Sequence, residues 1–254
     1  MNSADLGRRL TVSRYPRSAH YDPVWLVDNM MGPCSVWLTE ALTDVMPLAA
    51  GDHVLDLGCG KAMSSIFLAR EFDTHVVAAD VWIAAHENQR RIDDAGLAAS
   101  ITPIHLDANQ LDLPDETFDA IVSIDAYHYF GAQPGALTAI VRLLRPGGRI
   151  GVIVPAVRTE IDAWPEHLAP WWQDGFETFH SPAWWADLWT REEVVHLERA
   201  DLLPHGAEDW LTWTEAWDDW ARANDRAPYE LESQMLRADR DHLLGFTRLV
   251  AIKT

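Results

Sequence analysis

The sequence predicts an α/β protein built on one seven-stranded, mostly parallel sheet with helices on both faces. Short apolar runs of five to seven residues recur along the chain, and stretches of helical length separate most of the first five. The connections between them are short and rich in glycine, proline and aspartate. This alternation of strand and helix is typical of a parallel sheet covered on both faces. The predicted strands are residues 53–57, 74–79, 101–105, 120–124, 149–154, 194–199 and 246–252.

Helical spacing and capping signals fill the intervals between these strands. Ser181-Pro182 is a good helix start, because serine caps the first turn and proline is tolerated at the first helical position. Residues 1–20 carry few signals beyond four arginines, and we expect a mobile basic arm there. The predicted helices are residues 23–29, 34–45, 61–71, 83–95, 134–144, 182–190, 207–223 and 228–239.

Composition limits the class of protein. A chain of 254 residues is long enough for a sizeable core, and 48% apolar content is ordinary for a globular protein. Cys34 and Cys59 show no paired spacing, which favours a reducing compartment over a disulfide framework. No apolar run approaches the roughly 20 residues of a membrane span, and residues 1–9 lack a secretory signal. We therefore expect a cytoplasmic protein without stable membrane association.

The net charge of −19 indicates which partners are disfavoured. An acidic surface repels phosphate backbones and anionic lipid headgroups over a Debye length of about 8 Å. Nucleic acid and phospholipid are therefore not expected as substrates, although the acidity also serves simply to keep the protein in solution. A small-molecule substrate and a monomer or homodimer are the expectation.

A glycine turn follows the first predicted strand and carries the strongest motif. Asp56, Gly58, Gly60 and Ala62 fit the pattern acidic-x-Gly-x-Gly-x-small. Glycine permits a positive φ and close approach of a ligand to the backbone. No Lys-Ser or Lys-Thr follows at the spacing of a phosphate-binding loop, and Met63 stands where a dinucleotide fingerprint needs its third glycine. The turn thus indicates a nucleotide site that is neither a phosphate-binding loop nor a dinucleotide fingerprint.

Acidic residues recur at the ends of the next strands. Asp80 lies 24 residues beyond Asp56 at a predicted strand end, where a carboxylate can accept both hydroxyls of a ribose. Val81 and Trp82 follow it and could pack on an adenine face, whereas Asp107 could accept a hydrogen bond from an exocyclic amine. Because the carboxyl ends of parallel strands meet at one edge, these residues are expected around one ligand.

Together these motifs resemble the class I S-adenosylmethionine-dependent methyltransferases. Residues 109–119 resemble the family's loop between the third and fourth strands, and the Leu-Arg-Pro-Gly-Gly turn at 144–148 is another family hallmark. The resemblance covers roughly residues 50–155. It implies a Rossmann-like fold with an antiparallel last strand, and S-adenosylmethionine as cofactor with S-adenosylhomocysteine as product. The cofactor-binding residues that it implies are Asp56, Gly58, Cys59, Gly60, Asp80, Val81, Trp82, Asp107, Ala108 and Asp125.

The same resemblance suggests a domain organisation and a branch of the family. We expect an N-terminal arm and lid helices over 1–50, the cofactor-binding core over 51–156, and aromatic-rich cap segments plus the last strands over 157–254. Segments such as residues 123–130 and 179–182 are similar to the cyclopropane-fatty-acid-synthase-like branch. The acidic chain favours N-, O- or C-methylation of a soluble, apolar or aromatic metabolite, as in secondary metabolism. The alternatives are lipid methylation or cyclopropanation, and a non-catalytic regulator that binds the cofactor; Met63 weakens nicotinamide-dependent oxidation.

Candidates for removing a proton from the acceptor follow the fourth predicted strand. His128 is the first, because its loop faces the expected position of the methyl group. Tyr127 and Tyr21 are hydroxyl candidates, and His180 is a second base candidate. Asp125 could instead orient a substrate amine or help to hold the cofactor.

Ten of the 13 tryptophans lie between Trp164 and Trp220. A stripe at 210, 213, 217 and 220 is best explained as core packing of a helix. We expect an aromatic substrate chamber lined by Trp25, Tyr129, Trp184 and Trp185, with Phe176 and Phe179 nearby. No metal site is expected, since the sequence has no Cys-x-x-Cys or His-Glu-x-x-His motif.

Overall fold

The seven predicted strands form one sheet in the computed structural model, which describes residues 1–254. The strand order is β3-β2-β1-β4-β5-β7-β6. Neighbours from β3 to β5 pair in parallel, and β7 runs antiparallel to both β5 and β6. This confirms the mostly parallel sheet and the antiparallel last strand. The strands are β1 (His53–Leu57), β2 (His75–Asp80), β3 (Ile101–His105), β4 (Phe118–Ile124), β5 (Leu144–Val157), β6 (Val195–Leu202) and β7 (Leu244–Lys253).

Helices cover both faces of the sheet because the central strands carry apolar side chains on both of their faces. Val54 belongs to one buried cluster, with residues of α1 to α5, α8 and α9, whereas its neighbour Leu55 belongs to another, with residues of α6 and α7. The helices are α1 (Ser3–Leu10), α2 (Pro23–Asp28), α3 (Ser35–Thr43), α4 (Met63–Phe72), α5 (Ala85–Asp94), α6 (Ala136–Val141), α7 (Pro182–Arg191), α8 (Gly206–Ala223) and α9 (Leu231–Ala238). None of them combines the length and the apolar character that a membrane crossing requires.

The N-terminal segment is not the mobile arm expected from the sequence. Residues 3–10 form α1, whose Leu6 and Leu10 are buried. These two residues are spaced i and i+4, so they share one face of the helix. Arg9 forms ion pairs with Glu215 and Asp219 on α8. Arg14 and Arg17 likewise pair with acids outside the segment, whereas Arg8 pairs with Asp5 inside α1.

The tryptophan stripe on α8 packs as expected but also reaches the predicted site. Trp210 and Trp213 are buried. The indole N–H of Trp213 donates to the carbonyl of Gly32 at 3.1 Å, and that of Trp210 donates to Glu232 at 2.6 Å. The first bond ties α8 to the loop before α3, and the second ties α8 to α9.

Candidate active site

A large cavity opens at the carboxyl ends of the parallel strands. Its empty volume is about 1080 Å³ including the mouth, and we call it the glycine-turn cavity. Ligands of open α/β sheets bind at this edge, where the strand order reverses between β1 and β4. Residues from 29–35, 57–64, 80–82, 106–109 and 124–130 line it.

The glycine turn needs glycine at two positions. Gly58 has a φ of +80°, and a Cβ at this position would collide with the Cβ of Ala126. Gly60 has a φ of +53°, and its Cβ would lie 3.0 Å from the sulfur of Met31. Ala62 also adopts a positive φ of +60° as the N-cap of α4, so an alanine here carries strain that glycine avoids. Gly58, Cys59 and Gly60 all line the cavity, as the sequence predicts.

Asp80 lies at the end of β2 and is fixed by backbone donors. One carboxylate oxygen accepts from the N–H groups of Trp82 and Ile83, both at 2.8 Å, and the other accepts from Gly60 at 2.8 Å. An ionised carboxylate has about four acceptor sites, so this arrangement leaves capacity for a hydroxyl from the cavity. Asp80 therefore both positions the glycine turn and fits the ribose-binding role.

The remaining nucleotide-side residues also line the cavity. Asp107 accepts from the backbone N–H of Asn109 at 2.8 Å, and Ala108 lies beside it on the cavity wall. Val81 and Trp82 are 44% and 66% exposed. Five of the six large apolar side chains exposed on the protein line this cavity or the next one, and such concentrations mark ligand surfaces.

Asp56 is not in the cavity, contrary to the expectation that it contacts the cofactor. It is fully buried beneath the turn, where one oxygen accepts from the hydroxyls of Ser64 and Ser65, both at 2.6 Å. Its other oxygen has no partner. Burial raises the pKa of Asp56 to about 6, although both serine hydrogen bonds act in the opposite direction. Of Asp56, Ser64 and Ser65, only Ser64 lines the cavity, so Asp56 can affect the cavity only through Ser64.

A second cavity adjoins the first and shares Met31, Gly32, Pro33, Asp125 and Tyr129 with it. Its empty volume is about 570 Å³, and we call it the acidic cavity. The loop before α3, the end of β4, the segment between β5 and α7, and helices α8 and α9 all contribute to it. Its lining residues are 31–33, 125, 128, 129, 155, 173–176, 179, 210, 229 and 232.

Asp125 forms the wall between the two cavities. It follows β4 with a φ of +55°, and its N–H donates to the carbonyl of Ile153 at 2.8 Å. A Cβ at Gly32 would lie 2.5 Å from Asp125 Oδ2, so glycine allows the loop before α3 to approach the carboxylate. Burial and the nearby Glu232 hold the pKa of Asp125 well above its ordinary value.

Two other ionisable groups face the same space. Glu232 accepts a hydrogen bond from Trp210, and burial nevertheless raises the pKa of Glu232. His128 is only 2% exposed and its Nδ1 has no hydrogen-bond partner. Burial lowers the pKa of His128 to about 3, so the imidazole is neutral at physiological pH. Burial also raises the pKa of Tyr129 to about 12, with Asp125 and Glu232 adding to the effect.

Several predicted catalytic residues lie outside both cavities. Tyr127 is fully buried and packs against Trp185 and Trp189, because its 3₁₀ turn directs it into the core while the adjacent His128 faces the acidic cavity. The hydroxyl of Tyr21 donates to Glu71 at 3.2 Å. His180 is bound to Glu160 at 2.7 Å. None of the three is placed to touch an acceptor.

The tryptophans predicted to line a substrate chamber line neither cavity. Trp185 is fully buried in the core on the α7 face of the sheet, and Trp184 stacks on His180 with ring centroids 3.6 Å apart. Trp25 packs against Tyr21 instead of facing a cavity. Tyr129 does line both cavities, and Phe176 and Phe179 line the acidic one.

Sequence patterns do not predict the residues that reach the acidic cavity from the C-terminal half of the chain. Glu232 comes from the first turn of α9 and Tyr229 from the segment before it, and Gln173 and Asp174 come from the loop before α7. No local motif identifies them, because their proximity to Asp125 depends on tertiary packing. The Met31-Gly32-Pro33 segment was visible in the sequence but was not assigned to the site.

Comparison with known proteins agrees with this geometry. A family model described as a methyltransferase domain matches residues 54–148. The chain is 28% identical to 27-O-demethylrifamycin SV methyltransferase of Amycolatopsis mediterranei over 198 residues, or 74% of this chain and 67% of that protein. It is 32% identical to methyltransferase GfsG of Streptomyces halstedii over 126 residues, or 49% of this chain and 45% of that protein. The chain therefore spans only about half to two thirds of these two relatives.

The fold is shared with solved methyltransferases. Geranyl diphosphate C-methyltransferase from Streptomyces coelicolor, in complex with Mg²⁺, geranyl diphosphate and S-adenosylhomocysteine, aligns with a TM-score of 0.70. The alignment covers 96% of this chain and 89% of that chain at 16% identity. A likeness at this level of identity concerns the fold alone.

Proposed function

We propose that this chain is a class I S-adenosylmethionine-dependent methyltransferase that transfers a methyl group from that cofactor to a small molecule in the acidic cavity. The observation that carries the proposal is the common wall of the two cavities at Asp125 and Tyr129. A ligand of the glycine-turn cavity and a ligand of the acidic cavity would meet there.

The residues of the glycine-turn cavity fit the cofactor. Asp80 is proposed to accept a hydrogen bond from a ribose hydroxyl, and Val81 and Trp82 to pack on the adenine. Asp107 is proposed to accept a hydrogen bond from the exocyclic amine, and the backbone of Gly58–Gly60, which lines the cavity, is proposed to contact the amino-acid end. When bound, the cofactor would supply a methyl group on a sulfonium sulfur, and the acceptor nucleophile would attack this methyl carbon in line, with the sulfur as leaving group.

The protein's own contribution is to align the acceptor, exclude water and receive a proton. Neutral His128 can accept a hydrogen bond but is a weak base, because burial lowers its pKa to about 3. Asp125 and Glu232 are stronger bases than ordinary carboxylates, since burial raises the pKa of each. Asp125 and Glu232, and not His128, are therefore the leading candidates for the base.

The proposed acceptor is a small metabolite rather than a macromolecule or a lipid. The aromatic rings of the acidic cavity fit an apolar portion, whereas its carboxylates require a polar one. The net charge of −19 supports the absence of nucleic acid and phospholipid partners. We further propose a cytoplasmic protein that acts as a monomer or homodimer.

Transfer of label tests the proposal. The purified protein would be incubated with methyl-tritiated S-adenosylmethionine and a bacterial extract containing metabolites, lipids and nucleic acid. We expect label in the water-soluble small-molecule fraction, with S-adenosylhomocysteine as product and neither in the Asp80→Asn variant. Label in the lipid or nucleic-acid fraction, or no transfer at all, would overturn it.

A further inference from the structure

We propose that the methyl acceptor is an amine, and that the acidic cavity binds its cationic form with an aromatic or apolar substituent before the nitrogen is methylated. This inference rests on the proposed function, because it assigns the acceptor class of the same site. It changes the expectation of a simply apolar acceptor.

The charges of the cavity are the first observation. Asp125, Asp174 and Glu232 line it, and no lysine or arginine does. None of these three carboxylates belongs to an ion pair of the protein, whereas 18 other pairs are formed. Asp174 is exposed, whereas Asp125 and Glu232 are shielded from solvent, and enclosing such carboxylates without a counter-charge is unfavourable. An ammonium group in the cavity would supply the missing positive charge.

His128 is a second and independent observation. Its imidazole lines the acidic cavity, is 98% buried and makes no hydrogen bond to any protein group through Nδ1. Of the buried polar atoms without a partner, His128 Nδ1 belongs to a residue that lines this cavity, where a ligand or water can supply the partner. Neutral imidazole accepts a hydrogen bond at one nitrogen, and an ammonium or amine N–H is a suitable donor.

The aromatic lining fits a cation as well as an apolar substituent. Phe176 and Phe179 stack with centroids 4.6 Å apart, and Tyr129, Trp210 and Tyr229 complete the aromatic surface. Ring faces attract an ammonium group electrostatically, most strongly when water is excluded. The cavity therefore offers π-faces and carboxylates to one positively charged nitrogen.

Anionic acceptors fit poorly for the same reasons. A phosphate or carboxylate would face three acids and no basic side chain. A divalent cation could bridge a diphosphate to acids, but the protein has no group of three His, Cys, Asp or Glu side chains arranged to hold a metal ion. Neutral alcohols are not repelled, and the experiment below distinguishes them from amines.

The chemical step balances with residues of the cavity. The ammonium gives one proton to the carboxylate of Asp125 or Glu232, which leaves a lone pair on the nitrogen. That pair forms the new N–C bond while the electrons of the C–S bond remain on sulfur. The product amine keeps its positive charge, and the carboxylic acid releases its proton to water. The raised pKa values of Asp125 and Glu232 suit a carboxylate that must take up this proton.

The test compares three probes that share an aryl group and differ in charge. 2-Phenylethylammonium, 2-phenylethanol and 3-phenylpropanoate would be titrated calorimetrically into the protein, with and without S-adenosylhomocysteine. We expect the ammonium to bind about tenfold or more tightly than the alcohol, and the carboxylate not to bind. This comparison needs no variant. Equal or weaker binding of the ammonium, or its failure to bind, overturns the inference.

Two matched variants locate the effect. Glu232→Gln should weaken ammonium binding about tenfold while leaving the affinity for S-adenosylhomocysteine unchanged. Glu230→Gln removes the same charge from a residue that lines neither cavity, and it should change neither affinity. An equal loss in both variants would overturn the inference. If S-adenosylhomocysteine fails to bind but the ammonium does so through Glu232, only the proposed function fails.

Discussion

The stability of the Asp56→Asn variant, measured relative to that of the unsubstituted protein, should increase as the pH rises. The carboxyl group has an ordinary pKa of 3.8, and burial raises it to about 6 in the folded protein. Because the folded-state pKa is the higher one, ionisation favours the unfolded chain. This penalty is absent below about pH 4, grows between about pH 4 and 6, and is then constant. A difference of about two pKa units corresponds to about 3 kcal/mol.

The measurement is the free energy of unfolding in urea for both proteins from pH 4 to 8. The stability difference should shift by about 3 kcal/mol in favour of Asp56→Asn over this range. The amide NH₂ group would occupy the position of the unpartnered oxygen, which adds a constant cost that does not alter the shift. The exposed Asp44→Asn variant controls for loss of one negative charge. A pH-independent difference, or a shift of opposite sign, would refute the assignment of a penalised buried carboxylate.

Three further predictions concern the turn, the tryptophans and His128. Gly58→Ala should lose more stability than Gly51→Ala in urea unfolding and should also lose S-adenosylhomocysteine binding, because both glycines have positive φ but only the first meets a neighbouring side chain. Trp185→Ala should cost about 3–5 kcal/mol of stability, and Trp184→Ala clearly less. Trp184→Ala should also leave the KM of the acceptor unchanged, because Trp184 lines neither cavity, and a rise in that KM would support the predicted tryptophan chamber. The pH profile of kcat should show no inflection from His128 between pH 5 and 8, since its pKa lies near 3; an inflection there that disappears in His128→Asn would contradict this.

Most residues that line the glycine-turn cavity could be predicted to lie together because the motifs that carry them are local in sequence. Asp80 ends β2 and Asp107 lies just after β3, and the parallel pairing of β1 with β2 and of β2 with β3 brings these strand ends to one edge. The sequence pattern locates both β1 and β3 without error, since they are short apolar runs bounded by polar residues. It could not show that Asp56 points beneath the turn instead of into the cavity.

The acceptor half could not be predicted because distant segments form it. Glu232 lies more than 100 residues after Asp125, and only the packing of α8 and α9 brings them to one cavity. In the 3₁₀ turn after β4, Tyr127 and His128 point to different surroundings, and no periodicity decides which one enters the core. The α1 helix was missed because a segment with four nearby arginines resembles a solvated arm.

Calorimetric titration with S-adenosylmethionine, S-adenosylhomocysteine and NAD tests the central assignment most directly. We expect one-to-one binding of the first two and none of NAD, with both affinities lost in Asp80→Asn and kept in Glu230→Gln. Binding of NAD alone, of none of the three, or of S-adenosylmethionine with equal affinity in Asp80→Asn would contradict it.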